Sequence, residues 1–330
     1  MLELDLLTDV PRLSDLQHEW RQLECSVAGA TPFQTPEWLL TWWQHFGSGE
    51  LRTFVFRNSG HLVGILPAFL HNWNERSQLT LLGTGISDFL DPLLASPISR
   101  EISCGLLRHL SESKEWDVCD WQDLTDAAPL IQCSPDFGLA VEAVTDTPCA
   151  AITMNQPFAD FWKLRSSGLR RNVRRYRQKA EEVAPLETEV TSSAGREYLD
   201  ALIRLHSARW REQGEPGMIA ANRSAAFLRD VVERLEARGI VRFFALRFQG
   251  TIAAVILGFE YRQTIYAYLS AFDPAYAAFG FGRLLLFEAL QYAFANGCKS
   301  WNFLRGEEPY KFEWGAEQIA KTHLVIRPAA

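Results

Sequence analysis

No apolar run in this 330-residue chain approaches the length of about 20 residues that a bilayer-spanning helix needs. No basic stretch leads into an apolar one at the start either. Met1–Val10 alternates Leu with Glu3, Asp5 and Asp9, which does not read as a secretory leader and makes the cytoplasm the expected compartment. Cysteine is scarce and scattered: Cys25, Cys104, Cys119, Cys133, Cys149 and Cys298 form no Cys-x-x-Cys and no Cys/His pair at ligand spacing. Mostly buried free thiols and no metal are the expectation. Positive charge is not in excess, with 33 Lys and Arg against 40 Asp and Glu. A net charge of −7 argues against general DNA binding, which draws its affinity from surplus cations. Aromatics are what the chain has in plenty, with 11 Trp and 21 Phe. A hydrophobic share of 47% against 22% charged marks a packed globular protein, and the length suits about two domains.

The pattern runs in two cycles, 1–150 and 151–330. In the first, Leu2–Thr8 alternates as a half-buried strand, and Asp15–Leu23 carries apolar residues at helical spacing. Thr35-Pro36-Glu37 opens a second helix, with Thr as cap and Pro at the first helical position. Arg52–Phe56 and His61–Phe69 flank the turn Asn58-Ser59-Gly60 as strands. A strand over Leu79–Leu82, a helix over Ile102–Leu110 and a strand over Trp116–Leu124 follow, then a short helix and a strand between Asp126 and Pro148. In the second cycle Phe158–Leu164, Leu169–Val183, Arg196–Arg211 and Ala225–Arg238 read as helices. Gln249-Gly250 joins Ile240–Phe248 to Ile252–Tyr261 as a hairpin. Thr264–Ala271, the apolar helix Arg283–Ala295, and strands at Lys299–Leu304 and Thr322–Arg327 complete it. Helices, an antiparallel meander, a loop, a helix and a further strand make an α+β fold rather than a doubly wound one.

Chemistry concentrates between Ala267 and Lys311. Phe279-Gly280-Phe281-Gly282-Arg283 puts permissive backbone at a helix N-terminus, where free N–H groups and the dipole favour a diphosphate. Taken alone it is also an ordinary capped turn. Beyond the helix, Arg305, Glu307, Glu308, Tyr310, Lys311 and Trp314 crowd the end of a strand. Glu307 or Glu308 suits a general base and Tyr310 an acid; Arg305 and Lys311 suit an anionic substrate. A solvated, salt-bridged loop fits the same residues. His206, on a helix with Leu199, Leu202 and Ile203, is a base only if it faces a cleft. Asp88 and Asp91 suit acceptor hydroxyls or loop capping, and the Trp38/Trp42/Trp43 cluster is core by its helical spacing. Leu169, Val173, Tyr176, Ala180 and Val183 form an apolar stripe flanked by Arg170, Arg174 and Arg177 on one side and Arg171, Arg175 and Lys179 on the other. Such a helix is a solvated face or an anion clamp.

Phe272-Asp273-Pro274-x-Tyr276, the Gly282-x-Leu-Leu-Leu helix start, Asn302-Phe303-Leu304-Arg305-Gly306, Tyr310-Lys311 and Trp314-Gly315-Ala316 resemble GNAT-superfamily acyltransferases of the FemAB/CelD-like branch. Phe33–Trp38, Ser87–Pro92 and the Arg-rich helix extend the resemblance over almost the whole chain.

The resemblance implies tandem GNAT-like halves, each a mixed, mostly antiparallel sheet flanked by helices, with 1–150 degenerate and 151–330 the working half. It implies acetyl-CoA or another acyl-CoA as co-substrate, held at Phe279, Gly280, Phe281, Gly282 and Arg283. Transfer goes to an amine or hydroxyl of a small-molecule or saccharide acceptor, with Glu307, Glu308 or His206 as base and Tyr310 as acid. Asp88, Asp91, Arg174, Arg305, Lys311 and Trp314 would contact substrate. Association with polysaccharide-synthesis proteins is a further expectation. Two rivals stand beside this reading: a FemAB-type transferase taking aminoacyl-tRNA, and a non-catalytic binding protein of polysaccharide synthesis. The second draws on Ala277, which stands where the family's cofactor loop carries a basic or amide residue.

Overall fold

The computed structural model describes residues 1–131, 137–193, 196–212 and 222–329. Cys133 and the end of the predicted 126–148 segment's first half lie outside the described residues. Two compact units emerge: Met1–Pro148 together with the segment that begins at Ala320, and Cys149–Ile319. The first contains β1 (Leu2–Leu7), α1 (Val10–Asp15), α2 (Gln17–Ser26), α3 (Pro36–Phe46), β2 (Glu50–Leu51), β3 (Thr53–Asn58) and β4 (His61–Leu66). It continues with β5 (Ala68–Trp73), β6 (Arg76–Leu81), β7 (Leu93–Leu94), α4 (Ser99–Glu112), β8 (Val118–Thr125) and β9 (Leu139–Thr145). The second contains β10 (Cys149–Thr153), α5 (Phe158–Lys163), α6 (Ser167–Glu181), β11 (Leu186–Thr191), α7 (Arg196–Glu212), α8 (Asn222–Glu236) and β12 (Val241–Phe248). After these come β13 (Thr251–Tyr261), β14 (Thr264–Phe272), α9 (Phe281–Ala295), β15 (Ser300–Arg305), α10 (Pro309–Glu313) and β16 (Glu317–Ile319). The closing strand β17 (Lys321–Pro328) returns to the first unit, where it pairs with β8 and β9. Sequence pattern had grouped it with the second half, because strand partners distant in sequence leave no local signal.

In the first unit the sheets have orders β1-β3-β4-β7 and β2-β5-β6-β8-β17-β9, the latter mixed through parallel β6 and β8. The stretch His61–Phe69 is not one strand. Pro67, with no N–H to give, ends β4, and β5 enters the other sheet. Between Asp126 and Pro148 the described residues form β9 and no helix. Thr35 caps α3 by accepting the N–H of Trp38 at 3.2 Å, and the Trp38 indole donates to Ser87 Oγ at 2.8 Å. Trp38 and Trp42 are core.

In the second unit one sheet runs β11-β12-β13-β14-β15-β10-β16, antiparallel except between β14 and β15. Strand alternation sorts its two faces. Phe244, Leu246 and Phe248 join Leu284, Leu285 and Ala289 of α9 in one core. Phe243, pointing the other way, stacks on Tyr198 of α7 at 5.8 Å. Helix α6 starts at Ser166, whose hydroxyl accepts the Leu169 N–H at 3.1 Å, and it buries Leu169, Val173 and Ala180. Val183 lies beyond the helix end and is exposed, and Tyr176 is half-buried, so the buried stripe is shorter than its spacing predicts. The fold is α+β, two halves of mixed sheet flanked by helices, as expected. Cys119, Cys149 and Cys298 are buried, Cys104 is half-buried and Cys25 exposed, and none of the five is in a disulfide. Among the described residues no helix is long and apolar enough to cross a membrane.

Candidate active site

Strands β14 and β15 run parallel only through Thr264↔Ser300, Ile265↔Trp301 and Tyr266↔Asn302. Beyond that they part. Two local features account for it. Leu304 adopts a left-handed backbone with φ 63°, and its N–H is taken by the Asn302 side chain at 2.8 Å instead of by a neighbouring strand. On the other side, a bulge between β13 and β14 skips Tyr268, since Leu257 faces Leu269 while Gly258 faces Ala267. Each strand residue presents its backbone groups to one neighbour or the other, so part of the Ala267–Phe272 ladder has no strand beyond it.

A cavity of about 370 Å³ fills this wedge. Ala267, Ser270, Ala271 and Phe272 of β14 form one wall; Trp301 and Phe303 of β15, with Tyr310 and Trp314, form the other. The mouth is made by Gly280, Phe281, Gly282 and Arg283, with Tyr176 of α6. Gly280 is left-handed with φ 60° and closes the preceding turn by donating to Ala277 O at 3.2 Å. The Arg283 and Leu284 N–H groups return to Gly280 O, so the Phe281 and Gly282 amides are the first-turn donors with no intrahelical acceptor. A diphosphate is the ligand such an end favours, and a thioester arm fits the wedge behind it.

Sequence reading brings four of its cofactor residues, Gly280, Phe281, Gly282 and Arg283, to the cavity. The fifth, Phe279, stacks on Phe281 at 5.5 Å outside the lining. Arg283 also bridges to Glu313 of α10 at 2.8 Å. Tyr310 lines the cavity, edge-on to Phe303 at 6.0 Å and 41% exposed. Trp314 is a buried wall residue, stacked on Trp162 at 5.6 Å. Glu307 and Glu308 are exposed and outside the lining; Gln318 donates to Glu307 at 2.5 Å, and Glu308 pairs with Lys311 at 2.9 Å. Lys311 points inward. Its ammonium donates to the carbonyls of Leu304, Arg305 and Gly306 at 3.2, 2.6 and 3.1 Å. That geometry makes it a clamp on the end of β15. Arg305 is half-buried and Arg174 fully outside on α6. His206 is buried on α7 and is not among the lining residues.

Asp88 and Asp91 belong to the first unit. Asp91 accepts both the N–H and the hydroxyl of Thr125 at 3.0 Å, and burial pushes its carboxyl up to about 6. Asp88 gives its backbone carbonyl to Lys321 at 3.2 Å, and Lys321 also pairs with Asp123. Both aspartates sit in loop-fixing roles. Among the described residues no group of His, Cys, Asp or Glu stands where it could hold a metal ion.

Sequence reading did not single out five of the lining residues, Tyr176, Ala267, Ser270, Trp301 and Phe303, as part of the site. The small residues of β14 are its one local sign, and they become one only when β15 is known to leave.

Residues 167–312 match the family model described as the acetyltransferase (GNAT) domain. A comparison with curated proteins returns no match. Among solved structures, FemX aligns at a TM-score of 0.68 with 10% identity, covering 97% of this chain and 96% of that one. L-PGS from Bacillus licheniformis aligns at 0.56 with 13% identity over 89% and 91% of the two chains. A tandem GNAT protein from the clavulanic acid biosynthesis pathway aligns at 0.51 with 12% identity over 100% and 99%. Identities this low speak for fold alone. The segment 167–312, which holds every lining residue of the wedge except Trp314, thus matches the GNAT acetyltransferase domain, within a chain that has the tandem GNAT-like fold.

Proposed function

We propose that this chain is an acyl-CoA-dependent acyltransferase acting on an amine or hydroxyl of a small-molecule or saccharide acceptor, with its site in the second unit. The observation that carries the reading is the end of β14–β15 pairing at Tyr266↔Asn302, which opens a wedge leading straight to the unused amides of α9. The diphosphate would rest on the Phe281 and Gly282 N–H groups, beside Arg283. The pantetheine arm would run between the strands and bond the unpaired edge of β14, and the same edge would polarise the thioester carbonyl as charge develops on its oxygen.

In the transfer step the acceptor's nitrogen or oxygen bonds the acyl carbon and the carbon–sulfur bond breaks. The acceptor's proton passes through water to a carboxylate, Glu307 or Glu308, and the Tyr310 hydroxyl protonates the departing thiolate. Tyr310 supports this assignment as a lining residue of the wedge, and the glutamates precede its helix. No covalent enzyme intermediate is required.

The test is calorimetric titration of acetyl-CoA into the wild type and Gly282→Trp. A Cβ at 282 would stand 3.3 Å from Phe272, so an indole there projects into the mouth. Heat with the wild type and none with the variant supports the reading; equal heats, or none for either, removes it. Release of CoA thiol across a panel of amines and sugars then identifies the acceptor.

A further inference from the structure

Helix α6 carries Arg170, Arg171, Arg174, Arg175, Arg177 and Lys179, and no acidic residue before Glu181. Local physics disfavours this arrangement. Like charges three and four residues apart repel, and cations in the first turn oppose the helix dipole. Two of the six have obvious work inside the protein. Arg177 pairs with Glu288 of α9, and Lys179 donates to Ala278 O at 3.3 Å in the loop before α9. Arg171, Arg174 and Arg175 are exposed, and among the described residues no carboxylate lies within ion-pairing distance of them. A chain of net charge −7 therefore concentrates uncompensated positive charge on one short face.

That face adjoins the cavity mouth. The Arg175 guanidinium stands 5.1 Å from the centre of the Tyr176 ring. The same ring lies on Gly280, so closely that a Cβ there would be 2.6 Å away, and both residues line the mouth. Arg175 is thus one side chain removed from where a diphosphate would rest, and Arg171 and Arg174 share its exposed face of α6.

Resting on the acyl-CoA reading above, we propose that Arg171, Arg174 and Arg175 form a second phosphate subsite, which takes the 3′-phosphate of the donor's adenosine and selects 3′-phosphorylated acyl-CoA over donors without it. A phosphomonoester dianion matches the planar guanidinium fork, which is a reason for arginine rather than lysine along the row. Glu181 and Glu182 end the positive face after a few turns, which suits one compact phosphate group better than a long polyanion.

The experiment compares acetyl-CoA with acetyl-dephospho-CoA, by calorimetry, on the full chain and on Arg171→Gln/Arg174→Gln/Arg175→Gln. The full chain is expected to bind acetyl-CoA about tenfold more tightly or better, and to lose that margin as salt is raised. The triple variant is expected to bind both donors alike, at the wild-type affinity for the dephospho form. Arg174→Gln alone, expected to lose part of the margin, decides the matter if the triple variant does not fold. Equal binding of both donors by the full chain overturns the subsite and leaves the acyl-CoA reading standing; no binding of either removes that reading and the subsite with it. A short single-stranded RNA that binds the full chain more tightly than acetyl-CoA, and not the variant, would give the row to nucleic acid and overturn the proposal.

Discussion

Tyr266 and Asn302 are the last register partners of β14 and β15, and the cavity begins where their pairing ends. Ala267, the next residue on β14, forms part of its wall. A larger apolar side chain there should fill the wedge without disturbing the paired strands. Ala267→Phe is expected to weaken acetyl-CoA binding by about tenfold or more, at unchanged or raised thermal midpoint, because it displaces the ligand from preformed space. Calorimetry beside a melting curve checks it; intact binding would show that the donor lies elsewhere.

Gly280 combines a left-handed backbone with direct contact against the Tyr176 ring. Gly280→Ala meets both obstacles and should cost about 2–4 kcal/mol, the backbone share being about 1–2 kcal/mol. In a Tyr176→Ala background only the backbone share should remain. Urea unfolding of the four chains in the cycle gives the coupling, and additive costs would mean that the ring moves aside freely.

Lys311 is 2% exposed and satisfies three carbonyls. Lys311→Met keeps the chain's bulk but strands those acceptors and should destabilise by about 2–4 kcal/mol. Lys311→Arg should not restore stability, since a flat fork cannot replace a compact ammonium at three converging carbonyls. Chemical denaturation distinguishes this from a substrate contact, whose loss would leave stability alone.

Asp91 supplies a pH signature. Its folded pKa, raised by burial to about 6, stands above the ordinary aspartate value of 3.8 that the unfolded chain has. The unfolded chain therefore loses this proton first as pH rises. The contribution of Asp91 is most favourable below about pH 4, declines between about 4 and 6, and stays low above. A difference of two pKa units corresponds to about 3 kcal/mol. Asp91→Asn, whose side-chain oxygen can still accept from Thr125, should not show that decline. The stability difference, wild type minus variant, is expected to fall by about 3 kcal/mol across the window; a flat difference would mean that the carboxyl is hydrated in the folded chain.

Much of the site was legible because its parts are local. Gly280-Phe281-Gly282 before an apolar run announces a helix start with permissive backbone, and Thr35-Pro36 announces a capped helix in the same way; each rests on dihedral and donor rules that act within one turn. The polar residues after β15 were visible as a group, but their orientations were not. Lys311 turns inward because the carbonyls of Leu304, Arg305 and Gly306 converge on its ammonium at the end of β15, a convergence that no local pattern announces. Glu308 follows it into an ion pair for the same reason.

From its own residues the chain fixes where helices and strands begin, which faces they bury, and that two α+β halves follow one another, since periodicity and capping are set by neighbours a few residues apart. Only the folded molecule decides that β17 crosses back to the first unit, that Pro67 divides two sheets, and that β14 and β15 separate after one short run of pairing. Those outcomes depend on contacts between segments far apart in the chain. The wedge, which is the basis of the proposed chemistry, is such an outcome.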